Sequence, residues 1–492
     1  MLRRISLALL FFAATTAHAQ IDTKAVDRVV TSAMTAFNVP GVAVAIVQND
    51  RVVYAKGFGT TEIGGTTAVT ADTLFGIGST TKAFTTTAMA MLVDEGKMHW
   101  DDPVRKHLSY FHLDDPCADS MVTLRDIVSH RTGLSRHDEL WDNTALTREQ
   151  TIRAIGSVKL SKPFRSAYQY QNIMFTTAGE AVAAASGMPW NEFVRTRIFK
   201  PLGMNATAIT IAEFNASNHA NGHSYDRRND RVTLQPFVDP DNLAPAGAID
   251  SSAHDMAQWL RFQLADGVID GKRLVSQDAL HETKTPQTVI RMEGETKLVA
   301  PETNILNYAM AWNVSDYRGA LLVSHGGALN GFRAQVALLP QQNAGVVVLF
   351  NLGRGYAGIS IRNSILDALL GRSGRDWNAY YLAAERTTDA KDDASKAERE
   401  AKRFRDTKPS RELAAYAGTY TDPAYGTATV ALENDALVLR WNRLTVPLRH
   451  FHFDTFRAES DVDGVDEEVV FQLGSDGAVK SMTFFGEDFE KK

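Results

Sequence analysis

The sequence has a single cysteine, Cys117, in 492 residues. No intramolecular disulfide and no cysteine-built zinc site can form from it. Nor is there an excess of positive charge: 52 Lys and Arg face 58 Asp and Glu, for a net charge of −6. A weakly acidic chain lacks the basic surface through which nucleic-acid binders release counterions. Past the first twenty residues no apolar run is long enough to span a bilayer. Neither common glycine-rich phosphate loop is present, and His-Glu-x-x-His is absent. No cofactor and no metal is therefore expected, and no repeat of solenoid length recurs. What remains is ordinary for a folded protein: 44% hydrophobic and 22% charged residues. The length allows about three domains, enough to bury a core without cross-links.

The chain opens MLRRISLALLFFAATTAHAQ. Arg3 and Arg4, an apolar stretch from Ile5 to Ala14, and then Ala17-His18-Ala19 have the order of a secretory signal peptide, residues 1–19, cleaved before Gln20. The stretch is about half the length of a membrane span. An exported bacterial protein, periplasmic or secreted, is expected. A lone cysteine suits an oxidising compartment, where it has no partner to mispair with.

The rest divides into 20–371, 372–410 and 411–492. In the first stretch, Val26, Val29, Val30, Met34 and Phe37 have helical spacing, and Pro40-Gly41 ends that helix. Val42–Val47 and Arg51–Phe58 read as strands joined by an Asn49-Asp50 hairpin turn. A helical region follows from Ser79 to Pro201, then a mixed stretch in which Ser252-x-x-Asp255 opens a helix like a capping box. Strands at Phe332–Leu339 and Gly345–Leu352 and a helix at Ile359–Leu370 close the unit. Strands from both ends then pair in one antiparallel sheet with a helical block inserted between them, an α+β architecture. Residues 372–410 are a charged, helix-prone linker, expected to carry a solvated helix. After Arg411 the pattern is all-β: Thr427–Leu432, Ala436–Trp441, Glu468–Leu473 and Val479–Phe485 alternate with turns, which fits a small barrel or sandwich. Asp461-x-Asp463-Gly464-x-Asp466 lacks the ligand spacing of a calcium loop and reads as a hairpin turn.

Three sequence elements carry chemistry. Gly78-Ser79-Thr80-Thr81-Lys82 opens a nearly uncharged helix, so Ser79 and Lys82 share a face. A Ser there can attack a carbonyl while the Lys amine takes its proton. Lowering a free amine from about 10.4 to about 8 takes about 3.3 kcal/mol, which the apolar helix can supply by desolvation. Ser-x-x-Lys also arises by chance in chains of this length. Second, Tyr170-Gln171-Asn172 offers a phenol that can relay a proton and an amide that can bond both Lys and a substrate carbonyl. The plainer reading is a core Tyr and a helix-capping Asn. Third, His325-Gly326-Gly327-Ala328 precedes a strand, where paired glycines let a substrate backbone approach. The plainer reading is a turn with a surface His.

Ser-x-x-Lys, Tyr-x-Asn and a Lys/His-x-Gly element in this order resemble the serine β-lactamase and penicillin-binding-protein superfamily, nearest its class-C-like, DD-peptidase and D-aminopeptidase branch. Asp126 to Leu134 and Pro245-Ala246-Gly247 support it. The resemblance covers Ile21 to Leu370, and the tail from Glu412 resembles the lipocalin-like barrel of some D-amino-acid peptidases. It implies Ser79 as the acylated nucleophile, Lys82 and Tyr170 sharing the acid/base roles, and Asn172, His325, Gly327 and Ala328 at the substrate. The backbone N–H groups of Ser79 and Ala328 would form the oxyanion hole. Arg131-Thr132-Gly133 imitates the third element but falls too early and is expected to be a loop, with Arg136, His137, Asp138 and Trp141 at the cleft edge.

Penicillin-recognising relatives carry Lys where this chain has His325. A histidine at about 6.5 is roughly one-quarter charged at pH 7, which weakens carboxylate binding. The expectation is a serine hydrolase acting on small D-amino-acid peptides or amides. An esterase, a β-lactamase and a catalytically dead binding protein are the alternatives. The barrel is open to three uses: oligomerisation, partner docking or capping the site.

Overall fold

The computed structural model describes residues 21–142, 144–237, 240–460 and 464–492. The signal-peptide reading and part of the Asp461–Asp466 turn fall outside these. Helix α1 (Thr23–Phe37) starts at Asp22, whose carboxylate accepts from Lys24 N, and stops where Asn38 turns left-handed. Strands β1 (Gly41–Gln48) and β2 (Arg51–Gly59) form a hairpin through Asn49 and Asp50, both at positive φ. Two asparagine-type residues accept those angles at low cost, and that turn matches strand twist.

Strand β1 is buried along its whole length because it lies inside an eight-stranded antiparallel sheet. The other strands are β3 (Thr288–Ile290), β4 (Leu306–Tyr308), β5 (Asn313–Tyr317), β6 (Ala320–Leu329), β7 (Phe332–Leu339) and β8 (Ala344–Phe350). Their order is β2-β1-β8-β7-β6-β5-β4-β3, so β1 and β8 bring the two ends of the unit together, with Val44 opposite Val348. Helices cover both faces. Val42, Val44 and Ile46 face α1 and α5 (Ala357–Leu369), while Ala43, Ala45 and Val47 face the larger helical core. That core holds α2 (Lys82–Asp94), α3 (Ile173–Ser186) and α4 (Ala253–Leu264).

Four expectations change. The capping box at α4 is half made: Ser252 accepts from Asp255 N, but the Asp255 carboxylate turns to Ala206 N, Thr207 N and the Thr207 hydroxyl. His325-Gly326-Gly327-Ala328 is not a turn; it lies within β6. Strands β3, β4 and β5, which end one side of the sheet, went unread because each is short. The charged stretch is a single helix, α6 (Trp377–Ala401), and its first turns are core, not solvated. Trp377, Tyr381 and Ala384 are buried with α1 and α5, and the later turns are largely exposed. Its far end reaches the barrel, where Arg399 pairs with Asp466 at 2.8 Å and Arg403 donates to the Phe451 carbonyl.

The C-terminal strands, β9 (Gly418–Asp422), β10 (Gly426–Glu433), β11 (Ala436–Trp441), β12 (Leu444–His452), β13 (Thr455–Ser460), β14 (Val465–Leu473), β15 (Val479–Phe484) and β16 (Glu487–Lys491), close into an antiparallel barrel. Closure removes the exposed strand edges that so small a β unit would otherwise present.

Candidate active site

Gly78 at φ +50 bends the chain into a single 3-10 turn, Gly78–Thr81, that runs straight into α2. The short pairing of Phe75–Gly76 with Asp250–Ser251 ties this turn to the Pro245–Ile249 segment. Thr80, Thr81 and Lys82 are buried, and Ser79 alone in this turn keeps partial exposure.

Lys82 has no exposed surface. Its Nζ is 3.0 Å from Ser79 Oγ, 2.8 Å from Asn172 Oδ1 and 2.9 Å from the Ala246 carbonyl. Burial, helped by the Arg136 guanidinium, holds the amine well below its ordinary range, and Asp138 opposes this. Asn172 sits at the start of α3 without capping it. Its amide instead joins Lys82 to Asp138 Oδ1, 3.1 Å from Nδ2.

Tyr170 is partly buried and hydrogen-bonded to Ser79, with its ring 4.8 Å from Lys82 Nζ. Burial pushes the phenol up, so it stays protonated at any ordinary pH. Behind it, His130 stacks at 4.2 Å and accepts Gln171 N at 3.1 Å on Nδ1. Accepting there leaves the proton on Nε2, which is buried without a partner among the described residues. Burial, with the Lys82 charge next, keeps His130 well below its usual range.

Strand β6 lies against the Ser79 turn. A Cβ at Gly327 would stand 1.9 Å from the Ile77 carbonyl, and one at Gly78 would stand 2.6 Å from Ala328 N. Only glycine allows these two segments to touch, and their contact puts the Ser79 and Ala328 backbones side by side. His325 departs from expectation. It is buried, its Nδ1 is 2.6 Å from the Gly326 carbonyl, and its Nε2 is 3.1 Å from the Tyr308 hydroxyl. Burial, then the Lys82 charge, pushes it down to about 4. At neutral pH it is uncharged, not one-quarter charged, and it presents no cation to a substrate.

The structure thus brings Ser79, Lys82, Tyr170, Asn172, Gly327 and Ala328 to one point, with His325 packed behind Tyr170 at 6.3 Å between ring centres. Arg131-Thr132-Gly133 is a loop: Arg131 Nε is spent on buried Asp126 at 2.6 Å. Residues the sequence did not assign a role include His130 and Ala246. Pro245-Ala246-Gly247 was a signal without a mechanism; its carbonyls receive Thr85 and Lys82. Arg136 lies 5.2 Å from the Tyr170 ring, and Trp141 donates to Asp138. The barrel also reaches this rim, with the Tyr425 hydroxyl 2.6 Å from His137 Nδ1. A nucleophile, a low-lying amine and a held phenol on one side of a cleft can acylate and deacylate.

A family described as Beta-lactamase matches residues 26–368, and a domain of unknown function, DUF3471, matches residues 402–492. The unguisins hydrolase ungD' of Aspergillus campestris is 29% identical over 437 residues, 84% of this chain and 79% of that protein. Two solved structures share the fold across nearly the whole length. The octameric penicillin-binding protein homologue from Pyrococcus abyssi has a TM-score of 0.65 at 23% identity, covering 96% of this chain and 100% of that one. SurE with D-Leu has a TM-score of 0.55 at 18% identity, covering 95% and 99%.

Proposed function

The chain belongs to the beta-lactamase family of serine hydrolases, and from that premise we propose that it is an exported peptidase or amidase of small D-amino-acid-containing substrates, working through an acyl-enzyme on Ser79. The observation that carries the mechanism is the environment of Lys82. Two of its three partners, Asn172 Oδ1 and the Ala246 carbonyl, are acceptors only. A neutral amine therefore spends its two N–H bonds on them and turns its lone pair toward Ser79 Oγ. Lys82 takes the Ser79 proton as the oxygen attacks a carbonyl. The N–H groups of Ser79 and Ala328 receive the negative charge that develops on the carbonyl oxygen; such a donor is worth about 2.7–4 kcal/mol. Tyr170, still protonated and bonded to Ser79, gives a proton to the leaving amine and recovers it from Lys82. Water then attacks the ester by the reverse route.

The substrate reading rests on His325 and the barrel. With His325 neutral, the leaving side has no fixed cation for the carboxylate of a β-lactam. The barrel after the catalytic unit, and the D-Leu held by SurE, favour a D-amino acid at the site. Uncharged His325 also suits the alcohol of an ester, so an esterase is the second reading. Among the described residues no helix is long and apolar enough to cross a membrane, and export through residues 1–19 belongs to the same proposal.

The test is release of p-nitroaniline from D-alanine and L-alanine p-nitroanilides, with Ser79→Ala as control. D-selective release that the variant lacks supports the reading. Release from short p-nitrophenyl esters alone moves it to the esterase.

A further inference from the structure

Beyond Ala328 the cleft opens into a cavity of about 330 Å³. Its wall is shared by the catalytic unit, with Trp141, Leu329 and Arg333, and by the barrel, with Arg443. Two guanidinium groups thus meet one small space, and both lack an acidic partner among the described residues.

Arg333 is anchored by one edge. Its Nη1 donates to the Leu329 carbonyl at 3.0 Å and the Phe332 carbonyl at 2.8 Å. Its Nε and Nη2 form the other edge, the one whose two parallel N–H bonds fit a carboxylate, and that edge has no partner among the described residues. Burial brings Arg333 down to about 10, so it is still a cation at neutral pH. Arg443 stands exposed in the turn between β11 and β12. The two aspartates of the wall are not free. Asp241 pairs with Arg148 at 3.0 Å, and Asp142 has a partner of its own.

The position along β6 says which part of a substrate enters. Tyr170, which serves the leaving group, lies at the His325 end of the strand. Ala328 is three residues further on, roughly 10 Å at about 3.3 Å per residue. The cavity therefore lies on the acyl side of the scissile bond.

We infer that this cavity is a carboxylate subsite for the acyl part of the substrate, built by the free edge of Arg333 and completed from the barrel by Arg443. The preferred substrate then carries an acidic side chain on the residue that Ser79 retains, and the barrel is part of the specificity apparatus. The inference rests on the acyl-enzyme reading above.

The experiment compares kcat/KM for the α-p-nitroanilides of D-glutamic acid and D-glutamine, and for the mono-p-nitrophenyl ester of glutaric acid against p-nitrophenyl valerate. The full-length protein prefers the acidic member of each hydrolysed pair at least tenfold. Arg443→Gln and Arg333→Gln each reduce that ratio about tenfold, and Arg443→Glu reduces it further. Arg449→Gln, in an exposed pair with Glu459 on the barrel, leaves the ratio in place. Arg333 also holds the Leu329–Phe332 turn, so Arg443, which holds no other group among the described residues, decides if Arg333→Gln does not fold. An acid-to-neutral ratio near one in the unaltered protein, or a ratio that Arg443→Glu does not move, overturns the subsite. Failure of the acyl-enzyme reading looks different: neither member of either pair is cleaved, and Ser79 gains no acyl mass.

Discussion

Lys82 Nζ lies 3.0 Å from Ser79 Oγ, and the other two atoms it reaches have no proton to give back. That makes the contact directional. A lysine among hydroxyls could pass a proton in several directions, whereas this one can only exchange it with Ser79 or Tyr170. The same burial that lowers the amine, and so leaves it unprotonated and able to accept a proton at neutral pH, also shields it from water.

The pH profile of kcat/KM should report this amine. Base strength is lost as pH falls through the lowered Lys82 value, so activity declines on the acid side. Arg136 and Asp138 push that value in opposite directions. Arg136→Gln is expected to move the acid limb to higher pH, and Asp138→Asn to lower pH. Lys82→Arg keeps a cation that cannot be deprotonated and should cost about 10²- to 10⁴-fold in rate. Limbs that move together, or a fully active Lys82→Arg, would sink the base assignment.

Tyr170→Phe separates acid from base. Because burial raises the phenol, it donates at every pH at which the protein is active, and its loss should leave the acid limb where it was. The rate should drop by about 10²- to 10⁴-fold. Activated esters, whose leaving groups need no proton, should suffer less than anilides. Equal losses for both would assign Tyr170 a structural role only.

Much of this was legible in the sequence, and the reasons for the exceptions are physical. The β1–β2 hairpin, α1 and the β7–β8 pair follow from local periodicity and turn residues. Ser79 and Lys82 are legible because helix spacing and chemistry coincide there, and Tyr170 because it falls between them and the His325 element in the expected order. β6 was hidden because two adjacent glycines look like a turn; what makes them a strand is pairing with β7, Gly326 opposite Gln335 and Gly327 opposite Ala334. His325 was misjudged because its neighbours Tyr308 and Lys82 come from other elements, and they set its charge. The stretch that holds α6 is charged in bulk, yet its first turns are apolar and aromatic, and Trp377 and Tyr381 bury because α1 and α5 lie against them.

Gly326 and Gly327 should respond oppositely to alanine. A Cβ at Gly327 meets the Ile77 backbone at 1.9 Å, whereas one at Gly326 meets the side-chain amide of Gln335 at 3.1 Å and backbone no nearer than 3.7 Å. Gly327→Ala must therefore push β6 away from the Ser79 turn. Overpacking of this kind costs about 1–3 kcal/mol of stability. Losing one oxyanion donor costs about 10²- to 10³-fold in rate. Gly326→Ala should stay close to the parent in both. Melting curves and kcat/KM for the pair check this, and a Gly327→Ala enzyme of normal rate would show that Ala328 N is not part of the site.

The contact between His137 and Tyr425 should make the junction of the two units acid-sensitive. Burial lowers His137, with Asp138 opposing, so the ring is neutral near pH 7 and Nδ1 accepts the Tyr425 hydroxyl. Its Nε2 is then free to donate to Ser135 Oγ at 2.8 Å. A histidine depressed in the folded state binds fewer protons there than when unfolded. Its contribution is complete above about 6.5 and is lost as pH falls through the lowered folded value. Protonation puts a hydrogen on Nδ1 and breaks the bond to Tyr425, while Glu487 at 3.7 Å offers a weaker, partly exposed substitute. Tyr425→Phe should cost about 0.5–1.5 kcal/mol at pH 8 and progressively less below pH 6. Denaturant titrations of both proteins at the two pH values measure the difference. A penalty that grows toward acid would mean that Glu487, and not Tyr425, holds His137 in place.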